Sequence, residues 1–198
     1  MTPPADDRVT ADRRPWREEV VRLDVAVYAA IAATPTPAMD AALRGLSRAA
    51  DRSRLWIACS ALFVAFGGDR GRRAAATGVA SIALTSAVVN LVLKRLGNRR
   101  RPDRSAHGVP VTREVDMPRS TSWPSGHAAS AFAFTAGVGG VWPGAGVPLS
   151  VVASLVAYSR VHTGVHYPSD TIAGALSGMA LAQPVVAGSR RRRQRPRR

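Results

Sequence analysis

Three short polar segments of this 198-residue chain carry side chains that together could transfer a phosphoryl group. They supply cations for the equatorial oxygens of a phosphate, hydroxyl and backbone donors at a helix start, two imidazoles and a carboxylate. Each segment alone has an ordinary explanation, such as cations that reach lipid headgroups, a serine that caps a helix, or a histidine paired with an aspartate. Their conjunction is what predicts a site. In chain order the candidate residues are Lys94, Arg101, Ser125, Gly126, His127, Arg160, His166 and Asp170.

Lys94 stands out within this set on composition alone. It is the only lysine among the 28 basic residues, and all the others are arginine. A bias this strong toward arginine would be expected to replace a lysine on the surface. The exception indicates that position 94 needs a compact ammonium group rather than a guanidinium fork.

Five apolar runs without an acid or a base separate or flank the polar segments. A helix that crosses a bilayer needs about 20 predominantly apolar residues, which only the second run meets outright. A soluble helical bundle is the alternative, but its surface helices should show a charged stripe every three to four residues, and these runs show none. We therefore predict an all-α, integral-membrane helical bundle of five to six transmembrane helices. The runs are residues 55–66, 74–93, 128–142, 147–158 and 171–187.

The first apolar stretch, residues 20–33, contains Arg22 and Asp24, so it is either a poor first span or an amphipathic helix at the interface. If this stretch spans the membrane, the protein has six transmembrane helices and both tails lie on the same side of the membrane. The basic loop at residues 70–73 and the arginine-rich C-terminus would then be cytoplasmic. Residues 94–127 and 159–170 would form two loops on the extracytoplasmic face. The sequence thus predicts a multi-pass protein of the cell membrane with its active site outside.

The formal net charge of +15 raises the alternative of a nucleic-acid-binding or adaptor membrane protein. Seven of the positive charges lie in residues 190–198, and much of the rest lies between residues 94 and 119. We interpret the first group as an orientation signal and the second as counter-charge for phosphate, and we expect no nucleic-acid partner. The predicted organisation is a disordered polar tail without a signal peptide at 1–19, a membrane phosphatase domain at 20–188, and an arginine-rich cytoplasmic tail at 189–198.

Metal-dependent hydrolysis is a rival chemistry, because His162, His166 and Asp170 are spaced four residues apart and would line one face of a helix. Gly164 and Pro168 interrupt that helix. We therefore expect neither a metal nor another cofactor.

The three polar segments resemble the signature of the type 2 phosphatidic acid phosphatase family, relatives of the vanadium haloperoxidases. That signature is Lys-x6-Arg-Pro, then Pro-Ser-Gly-His, then Ser-Arg-x5-His-x3-Asp, and the chain matches every fixed position in the same order. The matching segments are KRLGNRRRP at 94–102, PSGH at 124–127 and SRVHTGVHYPSD at 159–170. The resemblance covers residues 74–187.

The resemblance implies a role for each candidate residue. His166 would be the nucleophile that forms a phosphohistidine, and Asp170 would orient it by a hydrogen bond to its other ring nitrogen. His127 would be the general acid and base. The phosphate would be held by the group Lys94, Arg101, Ser125, Gly126 and Arg160.

The implied function is an integral-membrane lipid phosphatase that hydrolyses a phosphomonoester or diphosphate of a lipid. The candidate substrates are a polyprenyl phosphate or diphosphate, a glycerolipid such as phosphatidate, or, as an alternative, a polyprenyl-linked sugar phosphate. A haloperoxidase is less favoured, because those relatives are soluble and have long insertions between the motifs. The expected partners are the lipid substrate and the bilayer, and the sequence carries no signal for an oligomeric state.

Overall fold

A computed structural model describes residues 15–194, and within that range the chain is helical without strands. The all-α prediction is confirmed. The seven main helices of this range are α1 (Pro15–Ala33), α2 (Pro37–Ala49), α3 (Arg54–Phe66), α4 (Gly68–Leu96), α5 (Gly126–Val141), α6 (Pro143–His162) and α7 (Pro168–Gln194). The last part of α4 is a π-helical turn, Val89–Leu93, followed by one α-helical turn.

Toward both ends of the chain, the helices extend beyond the predicted boundaries of the membrane domain. Within the described residues helix α1 covers Pro15–Ala33, so the last part of the predicted disordered tail is helical. Helix α7 continues to Gln194 and takes up the first part of the predicted C-terminal tail. The rest of the two predicted tails, residues 1–14 and 195–198, lies outside the described residues.

Three helices of the described range, α4, α6 and α7, are long and apolar enough to cross a membrane. Helix α3 has 13 residues and α5 has 16, which is shorter than a full span. The three helices and the solved relatives described below make this a membrane protein. The total of five to six spans stays a prediction.

Helix α5 packs against α4, α6 and α7, and small residues allow close approach at its contact with α7. A Cβ on Gly174 would clash with the carbonyl oxygen of Ser125, and one on Gly178 with that of Ala129. The small-x-x-x-small spacing of α7 therefore marks a close helix contact. Trp56 of α3 covers another side of α5, and its ring centre is 5.3 Å from that of the fully buried Phe134.

The topology brings all three signature segments to one end of the bundle. Helices α4 and α6 end there, and α5 and α7 begin there, so residues 97–125 and 163–167 are neighbouring loops. The opposite end holds the start of α4 and the ends of α5 and α7. There Arg70 donates to the carbonyl of Val141 at 3.4 Å, and Arg190 donates to that of Gly140 at 3.5 Å.

A buried ionic cluster fixes the long loop of residues 97–125 to the helices beside it. Arg113 is 1% exposed, and its Nε is 2.9 Å from Oδ1 of Asp40 in α2. The Nε2 atom of His162, the last residue of α6, is 2.9 Å from Oγ1 of Thr36 and 3.2 Å from the same Asp40 oxygen. Charge pairs, and not apolar packing alone, thus hold this loop against α2 and the end of α6.

Candidate active site

Lys94 and Arg101 converge on one serine that the sequence did not single out. The Nζ atom of Lys94 is 3.0 Å from Oγ of Ser120, and a guanidinium nitrogen of Arg101 is 3.3 Å from the same oxygen. Among the described residues neither cation has a carboxylate partner. Two half-buried cations that share a hydroxyl and lack a counter-ion form a site for an anion.

The start of α5 adds neutral donors beside these cations. Ser125 is the N-cap, since its Oγ accepts from the amide of Ala128 at 3.4 Å, which leaves its O–H group free to donate. The amide of Gly126 belongs to the first turn and has no carbonyl of its own helix within reach. A Cβ on Gly126 would lie 3.9 Å from Nζ of Lys94, so the ammonium group sits directly beside this helix start.

His166 lies in the short loop between α6 and α7, 2% exposed, with its two ring nitrogens in different surroundings. Nε2 is 3.2 Å from a guanidinium nitrogen of Arg101. Nδ1 is 3.6 Å from Oδ2 of Asp170, which is too long for a normal hydrogen bond. Ser122 stands between them, with its Oγ 3.4 Å from Nδ1 and 2.5 Å from the Asp170 oxygen. The predicted contact between Asp170 and His166 is thus supported by a serine that the motif does not include.

The surroundings keep His166 neutral. Burial lowers its pKa to about 3, the positive charges of Arg101 and Arg160 act in the same direction, and Asp170 opposes them. A neutral imidazole keeps a lone pair on one ring nitrogen. With Asp170 and Ser122 on the Nδ1 side, that lone pair is on Nε2, the nitrogen that faces the cations.

The neutral state of His166 makes the stability of the protein depend on pH in a definite direction. Between pH 6.5 and pH 3 the unfolded chain binds a proton at this position and the folded chain does not, so acid destabilises the fold. Between pH 7 and pH 5 the loss is about 2 kcal/mol for this group alone. We expect the thermal unfolding midpoint in detergent to fall on acidification, and to fall less in His166→Gln. The matched control is His107→Gln, which should retain the wild-type dependence, and equal slopes for all three proteins would contradict the assignment.

The carboxylate of Asp170 accepts hydrogen bonds from two donors besides Ser122. Its Oδ2 accepts from the amide of Tyr167 at 2.9 Å, and its Oδ1 is 3.0 Å from a guanidinium nitrogen of Arg99. Arg99 also stacks over the ring of Tyr167, 4.2 Å from its centre. A carboxylate fixed by several donors stays ionised and keeps one orientation, which is what a residue that orients an imidazole requires.

Arg99 links this carboxylate to the first helix. A second guanidinium nitrogen is 2.7 Å from Oδ2 of Asp24, which is 4% exposed. The Oδ1 atom of Asp24 accepts from the amide of Ser169 at 2.8 Å. Asp24 is one of two charged residues in the apolar stretch 20–33, for which the sequence predicted either a poor first span or an amphipathic helix at the interface, and its contact with Arg99 was not predicted.

His127, in the first turn of α5, has a carboxylate partner of its own. Its Nε2 is 2.7 Å from Oδ1 of Asp51, which lies in the turn between α2 and α3. The hydrogen bond with His127 is the main reason that the pKa of Asp51 lies below its usual range. Nothing in the spacing of the motifs points to Asp51, which is 76 residues away.

Arg160 approaches the same place from the end of α6. It is 1% exposed, and one guanidinium nitrogen is 2.5 Å from Oγ of Ser47 and 4.0 Å from Oδ1 of Asp51. Its Nε atom is buried and has no hydrogen-bond partner among the described residues. A buried guanidinium with an unused N–H is ready to receive an anion.

All eight residues predicted from the sequence therefore lie at one end of the bundle. The rival metal set does not assemble, since His162 is directed at Thr36 and Asp40, away from His166. Within residues 15–194, no three His, Cys, Asp or Glu side chains are grouped as a metal site. The motifs do not point to a supporting set that comes from other parts of the chain, namely Asp24, Ser47, Asp51, Arg99, Ser120 and Ser122.

Comparison with known proteins places this site in a family. The family model described as the PAP2 superfamily matches residues 75–194 of the chain, which includes all three signature segments. The chain belongs to the PAP2 superfamily. The resemblance seen in the motifs is confirmed, and so is the prediction of an integral-membrane phosphatase that acts on a lipid phosphate.

Relatives of similar length share one name. The decaprenylphosphoryl-5-phosphoribose phosphatase of Mycobacterium tuberculosis (strain H37Rv) is 36% identical over 184 residues, which are 90% of this chain and 99% of the relative. The enzyme of the same name from Mycolicibacterium smegmatis is 33% identical over 151 residues, which are 76% of this chain and 78% of the relative. The match is thus not confined to the motifs but extends over the helices.

Two solved structures have the same fold. Aquifex aeolicus LpxE superimposes with a TM-score of 0.63 at 24% identity, covering 83% of this chain and 95% of that one. The transmembrane PAP2-type phosphatidylglycerolphosphate phosphatase of Bacillus subtilis gives a TM-score of 0.66 at 24% identity and covers 90% of each chain. At this identity the likeness establishes the helical architecture of a PAP2 membrane protein.

Proposed function

We propose that this PAP2 phosphatase removes the terminal phosphate from a polyprenyl-linked sugar phosphate. The observation that carries the proposal is the 36% identity to a phosphatase of decaprenylphosphoryl-5-phosphoribose across 99% of that relative's length. An end-to-end match includes the helix surfaces that contact the lipid as well as the loops that bind the phosphate. It therefore favours the sugar phosphate over the phosphatidate and polyprenyl diphosphate that the motifs allowed.

The first half of the reaction is a transfer to His166. The Nε2 lone pair attacks phosphorus, and the bond from phosphorus to the substrate oxygen breaks as the new nitrogen–phosphorus bond forms. The departing oxygen takes a proton from His127 and leaves as the neutral alcohol. The depressed pKa of His166, about 3, supports this role, because the nucleophile is then unprotonated at any working pH.

The second half reverses the use of His127. A water attacks the phosphohistidine, His127 removes its proton, and the nitrogen–phosphorus bond breaks to release inorganic phosphate and free His166. Lys94, Arg101 and Arg160 stabilise the charge on the equatorial oxygens in both halves, with Ser125 and Gly126 as further donors. The absence of a carboxylate partner for Lys94 and Arg101 in the described part of the chain supports this assignment.

Asp51 is a positioning residue in this mechanism. It binds Nε2 of His127 at 2.7 Å, which leaves Nδ1 as the nitrogen that exchanges a proton with the substrate and with water. The same carboxylate stabilises the imidazolium that forms when His127 accepts a proton. His127 and Asp51 thus parallel the pair made by His166 and Asp170.

We expect Asp51→Asn to lower kcat on the order of 100-fold or more while the protein remains folded, because the imidazolium loses its counter-charge. The whole pH–activity profile should also move toward lower pH, an effect that a purely structural role would not produce. The measurement is phosphate release in detergent micelles from pH 5 to pH 9. Asp69→Asn, at the exposed far end of the bundle, is the control, and an unshifted profile for Asp51→Asn would refute the positioning role.

The orientation that fits this function places the site on the extracytoplasmic face of the cell membrane. The arginines at the opposite end, which include Arg70, Arg72, Arg73 and Arg190, would then lie on the cytoplasmic side in agreement with the positive-inside rule. The cations of the site do not follow that rule, because their role is to bind the phosphate of the substrate. Both tails are cytoplasmic in this arrangement.

A substrate panel tests the proposed function. It consists of a polyprenyl-phosphoryl pentose 5-phosphate, a polyprenyl diphosphate, phosphatidate and phosphatidylglycerophosphate, each in the same micelles. We expect the highest kcat/KM for the pentose 5-phosphate. A higher kcat/KM for either glycerolipid, or equal values for all four, would contradict the proposal.

A further inference from the structure

A cavity of about 180 Å³ opens from the phosphate site on the side of His127. It lies between α4, the start of α5 and the turn at residues 50–53, and it shares Gly126 and His127 with the site. His127 is the residue that protonates the departing oxygen in the proposed mechanism. Whatever occupies the space beyond His127 is therefore the leaving group of the substrate.

The wall of this cavity combines apolar surface with many hydrogen-bonding side chains, although it is built largely from membrane helices. A lipid acyl or prenyl chain would be expected to lie against aliphatic side chains. Here most of the lining residues carry hydrogen-bonding groups. Apart from His127, these residues are Arg52, Ser53, Thr85, Ser86, Asn90 and Ser130.

The hydroxyl group of Thr85, at the floor of the cavity, has no hydrogen-bond partner among the described residues. Hydroxyls in an apolar helix usually donate to the carbonyl four residues earlier. Thr77 and Ser81 of the same helix do so, each at 2.8 Å, and Thr85 does not. A buried hydroxyl without a partner is costly, and a polar group in the cavity would remove that cost.

The mouth of the cavity holds a cation that is free of ion pairs. Arg52 has none among the described residues, and it adopts a left-handed conformation with φ of 50°, followed by Ser53 with φ of 60°. Two successive residues other than glycine in this region are strained, and such strain concentrates at binding sites. A free guanidinium at the mouth is suited to a phosphodiester, which carries one negative charge.

We propose that this cavity binds the hydroxylated, phosphodiester-linked part of the leaving group. The sugar hydroxyls bond to the wall formed by Thr85, Ser86 and Asn90, and the phosphodiester that leads to the polyprenyl chain pairs with Arg52. Asn90 is suited to this role, since its amide nitrogen donates to the carbonyl of Ser86 at 2.9 Å and its amide oxygen is left as an acceptor. This inference rests on the proposed function. It explains how the enzyme selects one substrate class although its phosphate site does not recognise the lipid tail.

Arg52→Gln and Arg54→Gln form a matched pair for the test. Both arginines are exposed and lie two residues apart, but only Arg52 lines the cavity. We expect Arg52→Gln to lower kcat/KM for a polyprenyl-phosphoryl pentose 5-phosphate about 10- to 100-fold more than kcat/KM for phosphatidate, which lacks the linker. Arg54→Gln should leave the ratio of the two values at its wild-type level. Equal losses on both substrates, or the same change of ratio in Arg54→Gln, would overturn the inference.

A second pair tests the wall of the cavity. Thr85→Val should lower the same ratio about 10-fold, whereas Thr77→Val, whose hydroxyl is bonded within the helix, should not change it. Phosphatidylglycerophosphate also has a hydroxylated linker and a phosphodiester. If Arg52→Gln and Thr85→Val reduced its turnover rather than that of the pentose phosphate, the assignment to a sugar would be refuted. Wild-type protein that releases phosphate from phosphatidate but not from the pentose phosphate would refute the proposed function instead.

Discussion

His166→Ala is expected to leave no measurable release of phosphate from any lipid phosphate. The substitution removes the only atom of the site that forms a bond to phosphorus, so the cations that remain can bind the substrate but cannot start the reaction. The measurement is inorganic phosphate release by purified protein in detergent, with melting temperature and gel-filtration profile as checks of the fold. Binding of inorganic phosphate should persist, because Lys94, Arg101 and Arg160 are untouched.

Appreciable turnover by folded His166→Ala would contradict this expectation and exclude the histidine as nucleophile. His162→Ala is a useful comparison, since this second buried histidine of the same segment is directed at Thr36 and Asp40. Its loss should affect stability more than turnover.

His127→Ala should give the second largest effect, and a qualitatively different one. Loss of a general acid and base typically costs about 100- to 10,000-fold in rate. With an activated substrate such as an aryl phosphate, whose leaving group needs no proton, the first half of the reaction should survive. The second half still lacks its base, so phosphohistidine should accumulate.

The phosphohistidine can be detected as acid-labile, base-stable phosphate bound to the protein and as a burst of aryl alcohol close to one per site. The same burst should be absent in a double variant that also carries His166→Ala. A uniform slowing without a trapped intermediate would contradict the assignment of two separate roles to the two histidines.

The sequence was sufficient to single out eight residues that the structure brings to one end of the bundle, because their types and spacing are constrained together. Lys94 was recognisable as the only lysine, and PSGH placed a serine cap and a histidine at a helix start, as found in α5. The apolar runs predicted the all-α fold, since stretches without charge leave few alternatives to buried or membrane helices. Motif spacing and hydropathy are both properties of short stretches of sequence, so they can be recognised without a structure.

The supporting residues were not predictable in this way. Asp51 meets His127 across 76 positions, and Arg99 meets Asp24 only because α1 packs against the loop that follows α4. Such pairs depend on how the helices pack. No period or spacing in a single sequence encodes that packing. Ser122 was overlooked for another reason: a lone serine before a proline-rich turn is common, and only the carboxylate beside it gives it a role.

One guanidinium, that of Arg99, is shared between the first helix and the last. Along the chain Asp24 comes first, Arg99 follows, and Asp170 comes only with α7. The carboxylate that orients the nucleophile is held by Arg99 of the loop after α4, and Arg99 is itself held by the first helix. The geometry of the catalytic pair therefore depends on packing between segments that lie near opposite ends of the described chain.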